Sequence, residues 1–231
     1  MTSTAPPRRT DKATKQRVWD LPTRLFHWTL VVLVGLSWWS AENDQQDLHL
    51  YLGYGLLSLL LFRIGWGVAG SSTARFSSFV RGPGAVVRYV RNRFHWPLAG
   101  HAPLGALSVL ALLAMLFVIV GTGLFAADED GLFSGPLAYL VSLGVSDTMT
   151  ELHEELFDVL LALVGLHVAA ILLYRLALGR NLLGPMITGE AELEPGIEPM
   201  RAGKWWVAFI CLVAAIAITR WIIGGAPPLG T

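Results

Sequence analysis

The residues of this chain best suited to chemistry are histidines. His153 and His167 lie in one long apolar stretch. Their separation is close to four whole turns at 3.6 residues per turn, so both imidazoles leave one helix face, about 21 Å apart along its axis. His27 and His49 stand near the ends of two other apolar stretches. Four nitrogen donors of this kind can form one pair at each of two depths. Two imidazoles at one depth can take both axial positions of an iron porphyrin. That leaves no position for oxygen or substrate, so the chemistry implied is single-electron transfer through two haems.

The elements that must position these rings are membrane helices. The chain is 54% hydrophobic and 15% charged, with a mean hydropathy of +0.54, more apolar and less charged than soluble domains. Five stretches, Leu21–Ser40, Leu48–Ala69, Pro103–Ala126, Leu152–Leu178 and Lys204–Ile223, approach or exceed the roughly 20 helical residues that cross a bilayer. The fold class expected is an all-α membrane protein: a four-helix transmembrane haem-binding bundle plus a fifth C-terminal transmembrane helix. Residues 1–17 read as a basic cytoplasmic tail, 18–180 as the core, 181–203 as a cytoplasmic linker, and 204–231 as the fifth helix with an outer tail. The first stretch lacks a small-residue cleavage site, so it reads as a retained helix and not a removed signal peptide. Asp20-Leu21-Pro22 has the pattern of a helix start, a capping carboxylate followed by proline in the first turn. Phe76–Arg93 alternates apolar residues with arginines and reads as an amphipathic helix on the inner surface. Gly135-Pro136 and the breakers between Asn181 and Gly203 mark loops.

Orientation follows from the cations. Arg8, Arg9, Lys12, Lys15 and Arg17 precede the first stretch, and Arg75, Arg81, Arg88, Arg91 and Arg93 follow the second. Arg180, Arg201 and Lys204 follow the fourth, whereas Ala41–Asp47 and Ala127–Thr150 hold only acids, among them Glu42, Asp44, Asp128, Glu129, Asp130 and Asp147. Positive loops stay inside, so the N-terminus is expected in the cytoplasm and the C-terminus outside. The formal net charge of zero hides this asymmetry, and no nucleic-acid partner is expected. An acidic outer face suits a basic soluble redox partner.

With alternating crossings, His27 and His167 fall at the inner level, and His49 and His153 at the outer. No other pairing puts both rings of a pair at one depth. A lone histidine on an apolar face is more often a satisfied core residue, but four in two depth-matched pairs are hard to obtain by accident, and polar groups at membrane depth mark functional sites. Arg63, about four helical turns after His49, shares its face at the inner level. It has two readings, a partner for a haem propionate or a snorkelling arginine. Arg24 has the same two. Gly53, one turn beyond His49, leaves room for a flat macrocycle or a helix contact. His95 reads as a solvated loop residue. His101 reads as a helix-start histidine, the other reading being one wall of a quinone pocket. The single cysteine, Cys211, is a packing residue; without a second cysteine there is no internal disulfide, iron–sulfur ligand set or C-x-x-C-H attachment. Most tryptophans, such as Trp38, Trp39, Trp96, Trp205 and Trp206, sit at segment ends as interface anchors. No clustered H-x-x-H-H box occurs, against a non-haem metal oxidase. The alternative from another class is a haem-free membrane anchor or transporter subunit whose histidines pack or relay protons.

Several motifs recur in order: Val18-Trp-Asp-Leu-Pro-Thr-Arg-Leu-Phe-His27-Trp28, Gly53-Tyr54, Phe62-Arg63-Ile-Gly-Trp66-Gly67, Ala74-Arg75-Phe76, Phe79-Val-Arg-Gly-Pro83, Gly100-His101-Ala-Pro-Leu-Gly105, Leu152-His153-Glu154, Leu166-His167 and Pro185-Met186-Ile-Thr-Gly189. Over Val18 to Gly189 the chain resembles the bacterial membrane di-haem b-type cytochromes that include the cytochrome b subunit of NiFe hydrogenases. The resemblance implies haem ligation by His27, His49, His153 and His167. It also implies a place in the bacterial inner membrane, quinone as the exchange partner in the bilayer, and a hydrogenase, c-type cytochrome or other dehydrogenase as protein partner. Ala102 departs from a Gly-His-Asn-Pro pattern, and the fifth helix lies beyond the minimal core.

Overall fold

The computed structural model describes residues 14–96, 98–127 and 133–227. Arg8, Arg9, Lys12 and the loop acids Asp128, Glu129 and Asp130 lie outside them. Helix α1 (Leu21–Glu42) starts as the sequence expects. Asp20 Oδ1 accepts the Thr23 amide at 2.6 Å, with Pro22 in the first turn. Only Asn43–Gln45 separate it from α2 (Gln46–Ala69), and so short a link makes the two helices antiparallel neighbours. Two short helices follow, α3 (Phe76–Phe79) and α4 (Pro83–Arg91). The single amphipathic helix expected there is broken because proline supplies no amide hydrogen and disfavours helical geometry in the residue before it. The buried Tyr89 of α4 sits with its hydroxyl 2.8 Å from that of Tyr174.

Helix α5 (Pro103–Gly123) returns to the other end, and α6 (Leu143–Ala177) runs back over 35 residues, about 52 Å. It begins well before the expected Leu152, since apolarity reports only the part of a helix that is covered. Its first turns carry the exposed Asp147, Glu151, Glu154 and Glu155 and continue the same helix in polar surroundings. The loop before it hangs on those turns, Thr150 Oγ1 donating to the Ala127 carbonyl and Ser146 Oγ to that of Phe125. Helix α7 (Leu183–Thr188) and the long α8 (Trp205–Ile223) follow.

The expected tail and linker meet in the structure. Strand β1 (Thr14–Arg17) pairs antiparallel with β2 (Glu190–Leu193), Lys15 lying opposite Glu192 and forming an ion pair with Glu190 at 3.2 Å. Val18 and Trp19 both donate their amides to the Gly189 carbonyl, and Thr73 Oγ1 donates to the Val18 carbonyl at 2.7 Å. These bonds knit a polar platform at the basic end of the molecule.

Among the described residues, α2, α5, α6 and α8 are long and apolar enough to cross a membrane. This is an α-helical membrane protein. The first expected span forms a 22-residue helix, but Arg24, His27, Ser37, Ser40 and its threonines make it less apolar than the other four. Helix α2 is central: α1, α5 and α8 pack on it, and α6 packs on α5. Leu56, Leu57, Leu60 and Trp66 of α2 meet Leu113, Leu116 and Val120 of α5, Phe26 of α1, Leu160 of α6 and Ala215 of α8 in one cluster.

Candidate functional site

Near the acidic end, α2 and α6 bring His49 and His153 together, with ring centroids 5.9 Å apart and planes 86° apart. Each ring is fixed from behind by another helix. His49 Nδ1 donates to the Ser37 carbonyl of α1 at 3.0 Å, and His153 Nδ1 to the Ile119 carbonyl of α5 at 2.8 Å. A carbonyl only accepts, so both rings carry their proton on Nδ1 and keep the Nε2 lone pair free. This is how metal-binding histidines are oriented by their outer partners. Gly123 permits the arrangement: a Cβ there would lie 2.9 Å from His153 Cε1 and 3.0 Å from Nδ1.

The donors fit an iron porphyrin. Two imidazoles bonded through nitrogen to one metal at about 2 Å hold their ring centroids about 6 Å apart. Around this level Gly53 and Gly121, both half-buried, border space in which a Cβ would meet no atom within 4 Å. Gly53 is half-buried, so the room beside His49 anticipated from sequence is present.

Toward the basic end, His101 lies within electrostatic reach of Arg63, His167 and His27, and His27 within reach of His167. His167 Nδ1 is 3.0 Å from Ser108 Oγ, and His27 stands edge-on to Trp28 at 4.9 Å. Arg63 is turned into the protein, 3% exposed, and does not snorkel. Its Nη2 donates to the Ala74 carbonyl at 3.1 Å, and its guanidinium lies over the Phe76 ring at 4.6 Å and the Phe26 ring at 5.9 Å. Its Nη1, His27 Nδ1 and His101 Nδ1 are buried with no hydrogen-bond partner among the described residues. An unmade bond of this kind costs about 1–3 kcal/mol, more when charged. Arg63 Nη1 is a donor and each imidazole nitrogen can donate or accept, so this level has room for a polar group that is not protein.

His101 is the residue the sequence undervalued. It is clamped between Trp19, at 4.5 Å, and Phe79, at 4.7 Å, not standing free at a helix start. Burial, with the Arg63 guanidinium adding to it, pushes its imidazole down to about 3, so the ring is neutral at physiological pH. The clamp joins residues from three separate stretches, which spacing does not reveal. Arg24 donates to the Ile187 carbonyl and Trp28 Nε1 to that of Met186 at 3.1 Å, so both tie α1 to α7. His95 is a surface residue 3.8 Å from Glu194.

The family model for prokaryotic cytochrome b561 matches residues 18–189. The chain belongs to the prokaryotic cytochrome b561 family. It is therefore a membrane b-type cytochrome, a haem-binding electron carrier, in line with the resemblance drawn from the motifs. The matched region closes on itself, since its first residue donates its amide to the carbonyl of its last, Val18 to Gly189, at 2.8 Å. Helix α8 lies outside the cytochrome b561 match. No curated protein and no solved structure matches the chain.

Proposed function

We propose that this cytochrome holds two b-type haems, each between a pair of histidines, and passes single electrons from one end of the bundle to the other. His49 and His153 are the ligands near the acidic end, His27 and His167 those near the basic end. The observation that carries this reading is the His49–His153 pair, 5.9 Å apart with both Nδ1 atoms committed to backbone carbonyls. When bound, each haem supplies a one-electron ferric–ferrous couple. Held by two imidazoles at each level, the group would supply electron transfer rather than oxygen chemistry. Arg63 offers its free Nη1 to a propionate at the basic level, and the neutral His101 lies next to it.

The cation distribution supports an N-terminus in the cytoplasm and a C-terminus on the periplasmic side of a bacterial inner membrane, with α1 as the fifth crossing. In that orientation His49 and His153 would hold their haem at the side facing an outer redox protein, a c-type cytochrome, hydrogenase or dehydrogenase. His27 and His167 would hold the other at the side where quinone would be the exchange partner. A reduced-minus-oxidised spectrum with a pyridine haemochrome count tests the reading. Two haems per chain are expected; a colourless, folded protein would refute it in favour of a haem-free anchor, and one haem per chain would refute the double site.

A further inference from the structure

Beside α2, on the side covered by α8, a groove of about 280 Å³ is lined by Tyr51, Tyr54, Ser58, Ile216, Thr219, Arg220 and neighbouring small and apolar residues. Ligand sites for whole small molecules start at about 300 Å³, so this space suits a headgroup or part of a chain. Its depth follows from the register of the two helices. Cys211 packs against Gly65, and Ser58 Oγ donates to Thr219 Oγ1 at 2.9 Å. Helix α8 has 19 residues, about 28 Å, close to the roughly 30 Å of a hydrocarbon core. A helix of that length crosses the core about once, and its last turn approaches the acidic end. Arg220 stands in that last turn, and Tyr54 and Tyr51 lie one and two turns farther toward the acidic end than Ser58.

A cation at that end is unusual for this chain, whose described residues there include Glu42, Asp44 and Asp47 and no Lys or other Arg. Among the described residues Arg220 makes no ion pair or side-chain hydrogen bond, and neither do the hydroxyls of Tyr51 and Tyr54. The sole acid of α2, Asp47, precedes Ser58 by three helical turns, about 16 Å along the axis; α8 has none. The negative end of the α8 dipole favours a cation but accounts for neither the groove nor the two phenols beside it. A guanidinium with two phenols on its acidic-end side, and Ile216 about one turn deeper, match a phosphodiester with an acyl chain beneath it.

We infer that this groove binds one anionic glycerophospholipid from the leaflet at the acidic end, its phosphate held by Arg220 and the Tyr51 and Tyr54 hydroxyls, and that α8 thereby adds a lipid site to the bundle. The test is native mass spectrometry of the full-length haem-loaded protein, titrated in detergent with phosphatidylglycerol, phosphatidylcholine or ubiquinone. One phosphatidylglycerol should be retained in preference to phosphatidylcholine. Arg220→Gln should weaken its retention at least about tenfold, the loss expected for one charge-assisted hydrogen bond. The Tyr51→Phe, Tyr54→Phe double variant should weaken it by a smaller factor, and keeps the test open if Arg220→Gln does not fold. Arg175→Gln, in a separate groove beside α7, should change nothing. Equal retention by wild type and folded Arg220→Gln, no preference for phosphatidylglycerol, or its displacement by ubiquinone would overturn the assignment.

Discussion

Gly123→Ala is the sharpest perturbation of the pair near the acidic end. In a plain helix this change stabilises by about 1 kcal/mol. Here the added Cβ would lie 2.9 Å from His153 Cε1, whereas ordinary contact begins at 3.4 Å, so the ring must retreat by several tenths of an ångström. Ile119 lies one turn before Gly123 on the same face of α5. Motion away from the new methyl therefore lengthens the 2.8 Å bond from His153 Nδ1 to the Ile119 carbonyl. Disturbing an outer partner of this kind typically lowers metal affinity about 10–100-fold, or about 1.4–2.8 kcal/mol. The expected outcome is selective: haem content falls from two toward one per chain, and one of two components disappears from a redox titration. Gly144→Ala, where a Cβ meets open space, is the matched control. Two components at wild-type occupancy in Gly123→Ala would refute the close-approach argument; loss of both together in a folded protein would refute separate sites.

Other expectations follow from the same geometry. His153→Ala should remove one haem signal and His167→Ala the other, read by redox-resolved absorption; a common loss in either folded variant contradicts the pairing. Arg63→Gln removes a buried positive charge beside the second pair and should lower the midpoint potential of that haem alone, by on the order of 50–100 mV at an effective dielectric of about 20. Potentiometry that finds neither component moved excludes a role for Arg63 there. Asp20→Ala removes both the acceptor for the Thr23 amide and the acceptor for Trp66 Nε1, 3.1 Å from Oδ2. It should destabilise the protein by about 2–4 kcal/mol, seen as a lowered melting temperature in detergent, with Asp20→Asn in between.

Membrane class and helix periodicity were legible in the residues alone, because burial in lipid demands long apolar runs whatever the partners are. So was the shared face of His153 and His167, since four turns of one helix admit no other geometry. The start of α1 at Asp20 was equally legible, its cap being a contact between near neighbours in the chain. The family could be read for the same reason, in short motifs taken in order. What spacing within one helix never specifies is contact between helices. Packing determined that His49 and His153 meet ring to ring with Nδ1 of each taken by a third and a fourth helix, and that Arg63 turns inward between two phenylalanines. The clamp on His101 is likewise tertiary, drawing on Trp19 before α1 and Phe79 after α2. So is the pairing of Thr14–Arg17 with Glu190–Leu193, which joins segments at the two ends of the cytochrome core. The early start of α6 escaped a hydropathy reading because a helix that leaves the bilayer keeps its backbone bonds while its side chains turn polar.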